Sequence, residues 1–437
     1  MRWTVSGRWG FSGDNARMII TKRSFRTAVT ALAAGALLMT SPTAGAEPLP
    51  TVTTGPVFND PSGDTTAEGR ILSHLGGLVD GAEPGSSIRI SMFAYGSQWL
   101  SGRLLAAHAR GVTVQMVLDQ ESERYATAVD SLKSGLGGDS WVRVCKAQEA
   151  CLAKDPGTTA ADPDGWYDNV NHNKFFLFSR TKGKGTVPVD DVVVQSSGNL
   201  VEWDRTLAWN DAMTVAGNKE LFDAYGAYFG DLAGAAAGQV PQVADYPHDT
   251  QAGAAKVYFF PRSGTDVVVN ILKTVAQPVG TAAPCFGNDP GVGTSDGRTR
   301  LRIAQHHITR PEVAQQLWAL ADAGCYVDIV YRKLDNPPNT EVAGWLTKPT
   351  AKGRIALHQL DNDQRGGTAT HTKYLLVEGT YLGGANKRIV FTGSHTYTVT
   401  ALKYNDEALL KYEDPTVFDA YVRNFDAQRA AAEAEGL

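Results

Sequence analysis

The sequence of 437 residues is poor in cysteine, in long apolar runs and in positive charge. It has four cysteines and no Cys-x-x-Cys spacing, which argues against a structural zinc site. The apolar run at residues 28–39 is shorter than the ~20 residues that span a bilayer. Lys and Arg number 41 against 46 Asp and Glu. This balance argues against a nucleic-acid-binding protein, because such proteins neutralise phosphates with a basic surface.

The first 46 residues have the three features of a secretory signal. Residues 22–26 are basic, residues 28–39 are apolar, and Ala44-Gly45-Ala46 supplies the small residues of a cleavage site. Met18, just before the basic segment, is a possible true start. Removal of residues 1–46 would take away six of the 41 basic and one of the 46 acidic residues, leaving a net charge of −10. We therefore expect a secreted, extracellular and acidic protein.

All four cysteines lie after this segment, and their even number is typical of proteins from oxidising compartments. Four cysteines allow three pairings. Keeping each bridge within one half of the sequence repeat described below favours Cys145 with Cys151 and Cys285 with Cys325.

Two segments nearly two hundred residues apart share one pattern: NHNKFFLF at 171–178 and THTKYLLV at 370–377. Each places a histidine and a lysine two positions apart on a predicted strand, and an apolar run follows. Side chains alternate along a strand, so the two polar groups of each segment point the same way. A lone histidine in a strand is usually structural. Its repetition beside lysine at matched positions favours a catalytic function.

The segments around these motifs recur in the same order. Residues 87–114 and 300–327 both read as an apolar strand, a helix that stops at glycine, and a second strand. The sequence therefore predicts the α/β class, with two similar halves at 50–240 and 241–437. We expect each half to be a mixed sheet flanked by helices, with an active site at their interface.

Two histidines and two lysines suit the cleavage of a phosphodiester. That reaction needs a nucleophile, a proton donor for the leaving alkoxide, and cations to bind the other phosphoryl oxygens. One imidazole can attack phosphorus and form a phosphohistidine, while the other protonates the leaving oxygen. None of these steps requires a metal.

The twin motifs, the turns at 196–199 and 393–396 and the segment Asn405–Glu407 resemble those of the phospholipase D superfamily, and in particular of its secreted bacterial members. The resemblance extends from about Phe58 to Phe425. It implies two similar α/β halves, covalent phosphohistidine catalysis at their interface, and no metal or other cofactor.

The resemblance also implies individual roles. His172 would be the nucleophile and His371 the general acid, while Lys174 and Lys373 would bind the phosphoryl oxygens. The other candidates, expected to bind phosphate or to orient a histidine, are Asn199, Ser197, Ser394, Thr396, Asp211 and Glu407. Of these, Thr396 stands where the family usually has asparagine.

The sequence departs from the family pattern at further positions. Ser179 and Glu378 stand where each motif usually ends in aspartate. Glu407 fits a carboxylate that orients a histidine, but its aligned counterpart in the first half is Ala212. Asp211 is a candidate for that role only if the alignment shifts by one residue. We expect an active but asymmetric site.

These observations predict a metal-independent phospholipase D that hydrolyses glycerophospholipids to phosphatidic acid and a free alcohol. It would contact lipid surfaces peripherally, and act as a monomer because both motifs lie in one chain. One alternative is an extracellular nuclease with the same site, which the acidic charge makes less favourable. The other is a catalytically silent member that binds phosphate or lipid head groups. His306 and His307, at the end of a predicted strand, are interpreted as structural or loop residues, and the alternative is that they line the mouth of the site.

Overall fold

The structure, a computed structural model, describes residues 51–154, 157, 169–276, 285–335 and 340–436, so the predicted signal at 1–46 lies outside it. The described strands are β1 (Gly55–Phe58), β2 (Ser87–Met92), β3 (Thr113–Leu118), β4 (Trp141–Val144), β5 (Lys174–Thr181), β6 (Val189–Ser196), β7 (Ala208–Trp209), β8 (Asp211–Val215), β9 (Asp249–Ala252), β10 (Ala255–Phe259), β11 (Arg300–Ile308), β12 (Tyr326–Leu334), β13 (Arg354–Gln359), β14 (Ala369–Thr370), β15 (Lys373–Tyr381), β16 (Gly384–Gly393) and β17 (Ala408–Glu413).

The α-helices in the same residues are α1 (Thr65–Glu68), α2 (Arg70–Asp80), α3 (Gln98–Ala109), α4 (Ala126–Gly135), α5 (Glu202–Thr206), α6 (Lys219–Ala236), α7 (Val267–Thr274), α8 (Pro311–Asp322), α9 (Glu341–Leu346), α10 (Val399–Lys403) and α11 (Pro415–Glu435). Two short 3-10 helices cover Gln120–Tyr125 and Asp363–Arg365. None of the helices within the described ranges is long and apolar enough to cross a membrane.

Two mixed sheets are built on the same plan. The first has the strand order β1-β8-β6-β5-β2-β3-β4, and the second has the order β13-β12-β11-β15-β16-β17-β10-β9. In each sheet three strands are parallel, β2-β3-β4 and β11-β12-β13, and the other pairings are antiparallel. The predicted α/β class, with two similar mixed sheets flanked by helices, is confirmed.

The parallel strands arise from the strand, helix and glycine pattern of the sequence. Ser97 caps α3 by accepting from the amide of Leu100, and Pro311 occupies the first turn of α8. Gly111 and Gly324 follow these helices with φ of +92° and +117°. A side chain rarely adopts such values, so glycine at both places allows the chain to turn into the next strand.

Three clusters of buried apolar side chains hold the sheets. One lies on the outer face of the first sheet, with α2, α3 and α4, and another on the outer face of the second sheet, with α7, α8 and α9. The third contains residues of both sheets, of α6 and of α11. It repeats one edge-to-face ring pair, Phe175 with Tyr225 at 5.1 Å and Tyr374 with Tyr421 at 5.2 Å.

The two halves exchange backbone hydrogen bonds beside the motifs. The backbone amide of His172 donates to the carbonyl oxygen of Asp406 at 2.9 Å. The backbone amide of Asp406 donates to the carbonyl oxygen of Val170 at 3.0 Å. The amide of His371 donates to the carbonyl of Trp209 at 3.0 Å, and β7 pairs with β14. Each histidine segment is therefore held by the opposite half of the chain.

The two disulfides pair Cys145 with Cys151 and Cys285 with Cys325, as the sequence favoured. The first bridge closes a loop that also contacts the second half. There the Asp406 carboxylate accepts from the amides of residues 151–153 at 2.9, 3.0 and 2.7 Å.

Candidate active site

Strands β5 and β15 position the two motifs. They begin at Lys174 and Lys373, so His172 and His371 lie just ahead of the strands and not within them. Both lysines are buried, with 0% and 1% of their surface exposed. Each donates from Nζ to the carbonyl oxygen of the histidine two residues earlier, at 2.7 Å in the first motif. These bonds hold each ammonium next to its histidine.

The carboxyl group of Glu407, from the second half, holds the imidazole of His172, from the first. The distances from Nδ1 of His172 to the two carboxyl oxygens are 2.9 and 3.1 Å. Glu407 is fully buried, whereas 16% of the His172 side chain is exposed. With Nδ1 bonded to the carboxylate, Nε2 of His172 is the nitrogen left for a ligand.

His371, from the second half, is held in turn by the first half. Its Nδ1 lies 2.9 Å from Oδ1 of Asn210 and 3.0 Å from Oδ1 of Asp204. The amide group of Asn210 donates to the backbone carbonyl of Asp204 at 3.0 Å, which leaves its carbonyl oxygen toward the histidine. Each histidine is therefore oriented by an acidic residue across the interface.

The turn serines align the two halves residue by residue. The amide of Asp211 donates to Oγ of Ser197 at 2.9 Å, and the amide of Ala408 donates to Oγ of Ser394 at 3.2 Å. In both halves the amide lies 14 residues after the serine. Both serines are fully buried, and these bonds stabilise the turns. Their predicted contact with a ligand stays a prediction.

This alignment corrects the sequence comparison of the two halves. The first-half equivalent of Glu407 is Asn210, which precedes β8 as Glu407 precedes β17, and not Ala212. The carboxylate comes from Asp204, six residues before Asn210 and in α5. Sequence reasoning missed Asp204 because it lies outside the repeated segment. An alignment of the two halves on Ser197 and Ser394 would have identified Asn210 as the equivalent of Glu407.

Asp211 forms hydrogen bonds with the second half. Its buried carboxylate accepts from the hydroxyls of Thr392 and Tyr421, both in the second half. Those bonds tie α11 and β16 to the first sheet, whereas His371 is held by Asp204. Asp211 therefore has partners other than His371 in this structure, and its predicted role at the site stays a prediction.

Asn199 and Thr396 also have partners within the protein. Asn199 donates from its backbone amide and from Nδ2 to the Asp204 carboxylate, at 2.8 and 3.2 Å, and its Oδ1 accepts from the amide of Ala94 at 3.3 Å. The hydroxyl of Thr396 lies 3.1 Å from that of Thr398. Asn199 thus fixes the carboxylate that holds His371. Its predicted contact with phosphate stays a prediction.

The two lysines place positive charge in a buried site. Burial lowers the pKa of Lys174 to about 8, although Glu407 opposes this shift. Burial and the charge of Lys174 hold the pKa of Lys373 well below its usual range. Buried cations that repel each other are stabilised by an anion between them. The site is therefore suited to a negatively charged ligand.

Both histidines are neutral in the unliganded site. Burial holds the pKa of His172 well below its usual value, and Lys174 and Lys373 lower it further. Burial and Lys373 lower the pKa of His371 to about 4, although Asp204 opposes them. Since lysines of both halves act on each histidine, the four side chains form one electrostatic cluster.

The acidic partners of the two histidines differ in charge. Burial raises the pKa of Glu407 to about 8, although Lys174 opposes this. Burial also favours the neutral form of Asp204, but His371, the Asn199 amide and Lys373 together lower its pKa below the usual range. The carboxylate beside His371 is therefore the more strongly ionised of the two.

Aromatic rings border both imidazoles. The ring of Phe93 lies 5.2 Å from that of His172, and the ring of Trp203 lies 5.2 Å from that of His371. The ring of His306 stacks edge-to-face on His371 at 4.6 Å. His306 therefore lies beside the motif histidine, which its interpretation as a structural or loop residue had not anticipated. Its position at the end of β11, next to β15, accounts for this contact.

Comparisons with known proteins agree with this architecture. Residues 295–429 match the family model described as "Cardiolipin synthase, PLD-like domain". The phosphatidylserine synthase of Haemophilus influenzae has a similar fold, with a TM-score of 0.52, 11% identity, and coverage of 87% of this chain and 88% of the other. Polyphosphate kinase from Porphyromonas gingivalis gives a TM-score of 0.51 at 14% identity over 85% of this chain. The chain spans half the length of that kinase. No curated protein sequence matches it.

The family model covers the second motif, and the two structures have the same fold over most of the chain. The resemblance to the phospholipase D superfamily that the twin motifs predicted is confirmed over residues 295–429.

Proposed function

We propose that the protein is a secreted, metal-independent phosphodiesterase of the phospholipase D type, which releases the head-group alcohol of a glycerophospholipid and leaves phosphatidic acid. One observation carries this proposal. Two buried His-x-Lys units meet at one interface, and each imidazole is oriented by an acidic residue of the other half. This arrangement supplies a nucleophile, an acid and two cations for one phosphate group.

In the first step, Nε2 of His172 attacks phosphorus and a P–N bond forms. The bond from phosphorus to the head-group oxygen breaks, and His371 gives its proton to that oxygen, so a neutral alcohol leaves. Lys174 and Lys373 offset the negative charge on the remaining phosphoryl oxygens. When Glu407 is ionised, Nδ1–H of His172 donates to its carboxylate, and the lone pair of Nε2 is available for this attack.

In the second step, water attacks the phosphohistidine. His371 takes a proton from the water, a new P–O bond forms, and the P–N bond breaks to release phosphatidic acid and neutral His172. An added alcohol that replaced water would give head-group exchange by the same route.

The charges around the two histidines support this division of roles. A general acid must become an imidazolium, and the ionised Asp204 stabilises that cation at His371. His172 instead faces Glu407, whose raised pKa provides less negative charge. A bound phosphodiester anion would also raise the pKa of His371 and help it to hold its proton.

A phospholipid substrate is favoured over nucleic acid by two observations. The matching family model is described by a phospholipid enzyme, cardiolipin synthase. The net charge of −5, or −10 without residues 1–46, provides no general basic surface for a phosphate backbone. Secretion is supported by the signal pattern and by two disulfides, which persist in oxidising compartments. Since one chain contains both motifs, a monomer acting at a lipid surface would suffice.

The direct test is turnover by the purified mature protein with EDTA present, on phosphatidylcholine vesicles and on plasmid DNA in parallel. We expect choline release that is lost in His172→Ala. DNA cleavage without choline release would replace the phospholipase with a nuclease. No turnover on either substrate would favour a protein that only binds phosphate or lipid head groups.

A further inference from the structure

The two sheets differ at the ends of β5 and β15 that lie farthest from the motifs. Five residues after each motif lysine, the first half has Ser179 and the second has Glu378. In the second half, Nη1 of Arg302 on β11 donates to the carboxylate of Glu378 at 3.0 Å. The carboxylate is thus neutralised by an arginine of the neighbouring strand.

Arg89 occupies the position of Arg302 in the first half. Arg89 pairs with Leu177 across β2 and β5, as Arg302 pairs with Leu376 across β11 and β15. Leu177 and Leu376 each lie three residues after the motif lysine. The first sheet therefore keeps the arginine but has serine in place of its acidic partner.

Within the described part of the chain, the Arg89 guanidinium forms no hydrogen bond and no ion pair. Its Nε is buried without a partner. Nε of Arg302 is also unpartnered. The two arginines therefore differ in the Glu378 carboxylate, which accepts from Nη1 of Arg302. The Arg89 guanidinium lies over the ring of Phe229 of α6, 6.0 Å from its centroid, and this cation–π contact leaves its N–H groups without an acceptor.

Arg89 lines a cavity of about 420 Å³ at this end of the sheet. Ser179 also lines it and accepts from the amide of Ser87 at 2.8 Å, so the Ser179 hydroxyl hydrogen is left to donate. The hydroxyl of Ser86, another lining residue, is buried without a partner. Asp139 at the rim is exposed and, in the described structure, makes no ion pair with Arg89.

We propose that Arg89, with the hydroxyls of Ser179 and Ser86, binds a small oxyanion of the size of inorganic phosphate. The anion takes the place that the Glu378 carboxylate fills in the second half. A guanidinium presents paired N–H donors that match two oxygens of such an anion. The site is separate from the catalytic one, because Ser179 lies five residues along β5 from Lys174, roughly 17 Å in an extended strand.

The test compares the full mature chain with Ser179→Glu, which gives the first sheet the same acidic residue as the second. Calorimetric titration with inorganic phosphate should find one more site per chain in the wild type than in Ser179→Glu. Arg89→Gln should lose the same site, and it keeps the test decisive if Ser179→Glu fails to fold. Equal phosphate stoichiometry in the wild type and a folded variant would overturn the proposal.

This outcome does not depend on the proposed function. Phosphate bound between Lys174 and Lys373 would be counted in the wild type and in both variants, so the difference of one site remains. Turnover should be unchanged in Ser179→Glu. If the catalytic site takes no phosphate, the wild type should bind one and the variants none. Thermal unfolding should agree, with a melting temperature that rises more with phosphate in the wild type than in either variant.

Discussion

The two halves place a histidine in the same backbone setting but give it different acidic partners. Among the described residues, Nδ1 of His172 is hydrogen-bonded only to Glu407, whereas Nδ1 of His371 lies within hydrogen-bond distance of both Asn210 and Asp204. Burial lowers the pKa of each imidazole, but only His371 has a strongly ionised carboxylate to oppose that shift. Duplication of the fold can thus give two similar imidazoles different functions, because the charge of one neighbouring side chain favours or disfavours the imidazolium.

A second difference lies at the other end of the same strands. In the second sheet, Arg302 and Glu378 form an ion pair. At the equivalent place in the first sheet, Arg89 and Ser179 line a cavity. Both differences involve replacement of a carboxylate by a neutral side chain at equivalent positions. The backbone is similar in both cases. The basic side chain that faces the neutral residue, His371 or Arg89, then needs another partner for its positive charge.

The largest effect is expected from His172→Ala. Loss of the nucleophile should lower turnover by more than about 10⁴-fold, because neither the lysines nor His371 can form the covalent intermediate. The rate should be measured against His358→Ala, a histidine of β13 outside the site. Turnover within tenfold of the wild type in His172→Ala would remove this residue from the nucleophile role.

His371→Ala should lower turnover by about 10²- to 10⁴-fold for a lipid whose leaving group is an ordinary alcohol, the range typical of general acid catalysis. A p-nitrophenyl ester needs little protonation of its leaving group, so its loss in the first step should be much smaller. Burst measurements with both substrates separate this step from hydrolysis of the intermediate. Equal losses in the burst rate would contradict the acid role.

Substitution of Asp204 and of Glu407 should lower the burst rate in different ways. Asp204→Asn removes the charge that favours protonated His371, and should lower the burst rate by about 100-fold for poor leaving groups and less for good ones. Glu407→Gln should impair attack by His172 similarly for both kinds of substrate. Asp190→Asn, at an exposed pair with Arg180, is the control for Asp204→Asn. The same leaving-group dependence in both site variants would remove the distinction between the halves.

The smallest expected effect concerns stability and pH. The folded state raises the pKa of Glu407 from 4.5 to about 8, so between these values it holds a proton that the unfolded chain has lost. Stability therefore falls as pH rises through this window. Glu407→Gln lacks this loss, so its stability relative to the wild type should increase between pH 5 and 8.5. Urea unfolding at both pH values measures it, and parallel pH dependence in the two proteins would argue against a raised pKa.

Much of the fold could be predicted from the sequence. The strand, helix and glycine pattern, the paired motifs and the two disulfides are local or repeated features, and each appears at its expected place. The lysines of both motifs were also identifiable, because a charged side chain inside an apolar strand is costly unless it faces a polar site.

The partner of His371 could not be predicted in the same way. Asp204 comes from a short helix with no matching acid in the other half, and Asn210 fills the position of Glu407. Aligning Asn210-Asp211 with Asn405-Asp406 gave the wrong register, because these similar pairs do not occupy equivalent positions in the two sheets. The fixed distance to the turn serines, which bind equivalent amides, is the more reliable guide.

The division of roles between the histidines is tested most directly by locating the covalent intermediate. The wild type, His172→Ala and His371→Ala would each be mixed with a short-chain phosphatidylcholine, quenched under alkaline conditions that preserve phosphohistidine, and analysed by peptide mass spectrometry. We expect the phosphatidyl group on His172 in the wild type, its persistence in His371→Ala and its absence from His172→Ala. A phosphatidyl group on His371 of the wild type, or any covalent adduct in His172→Ala, would contradict the assignment.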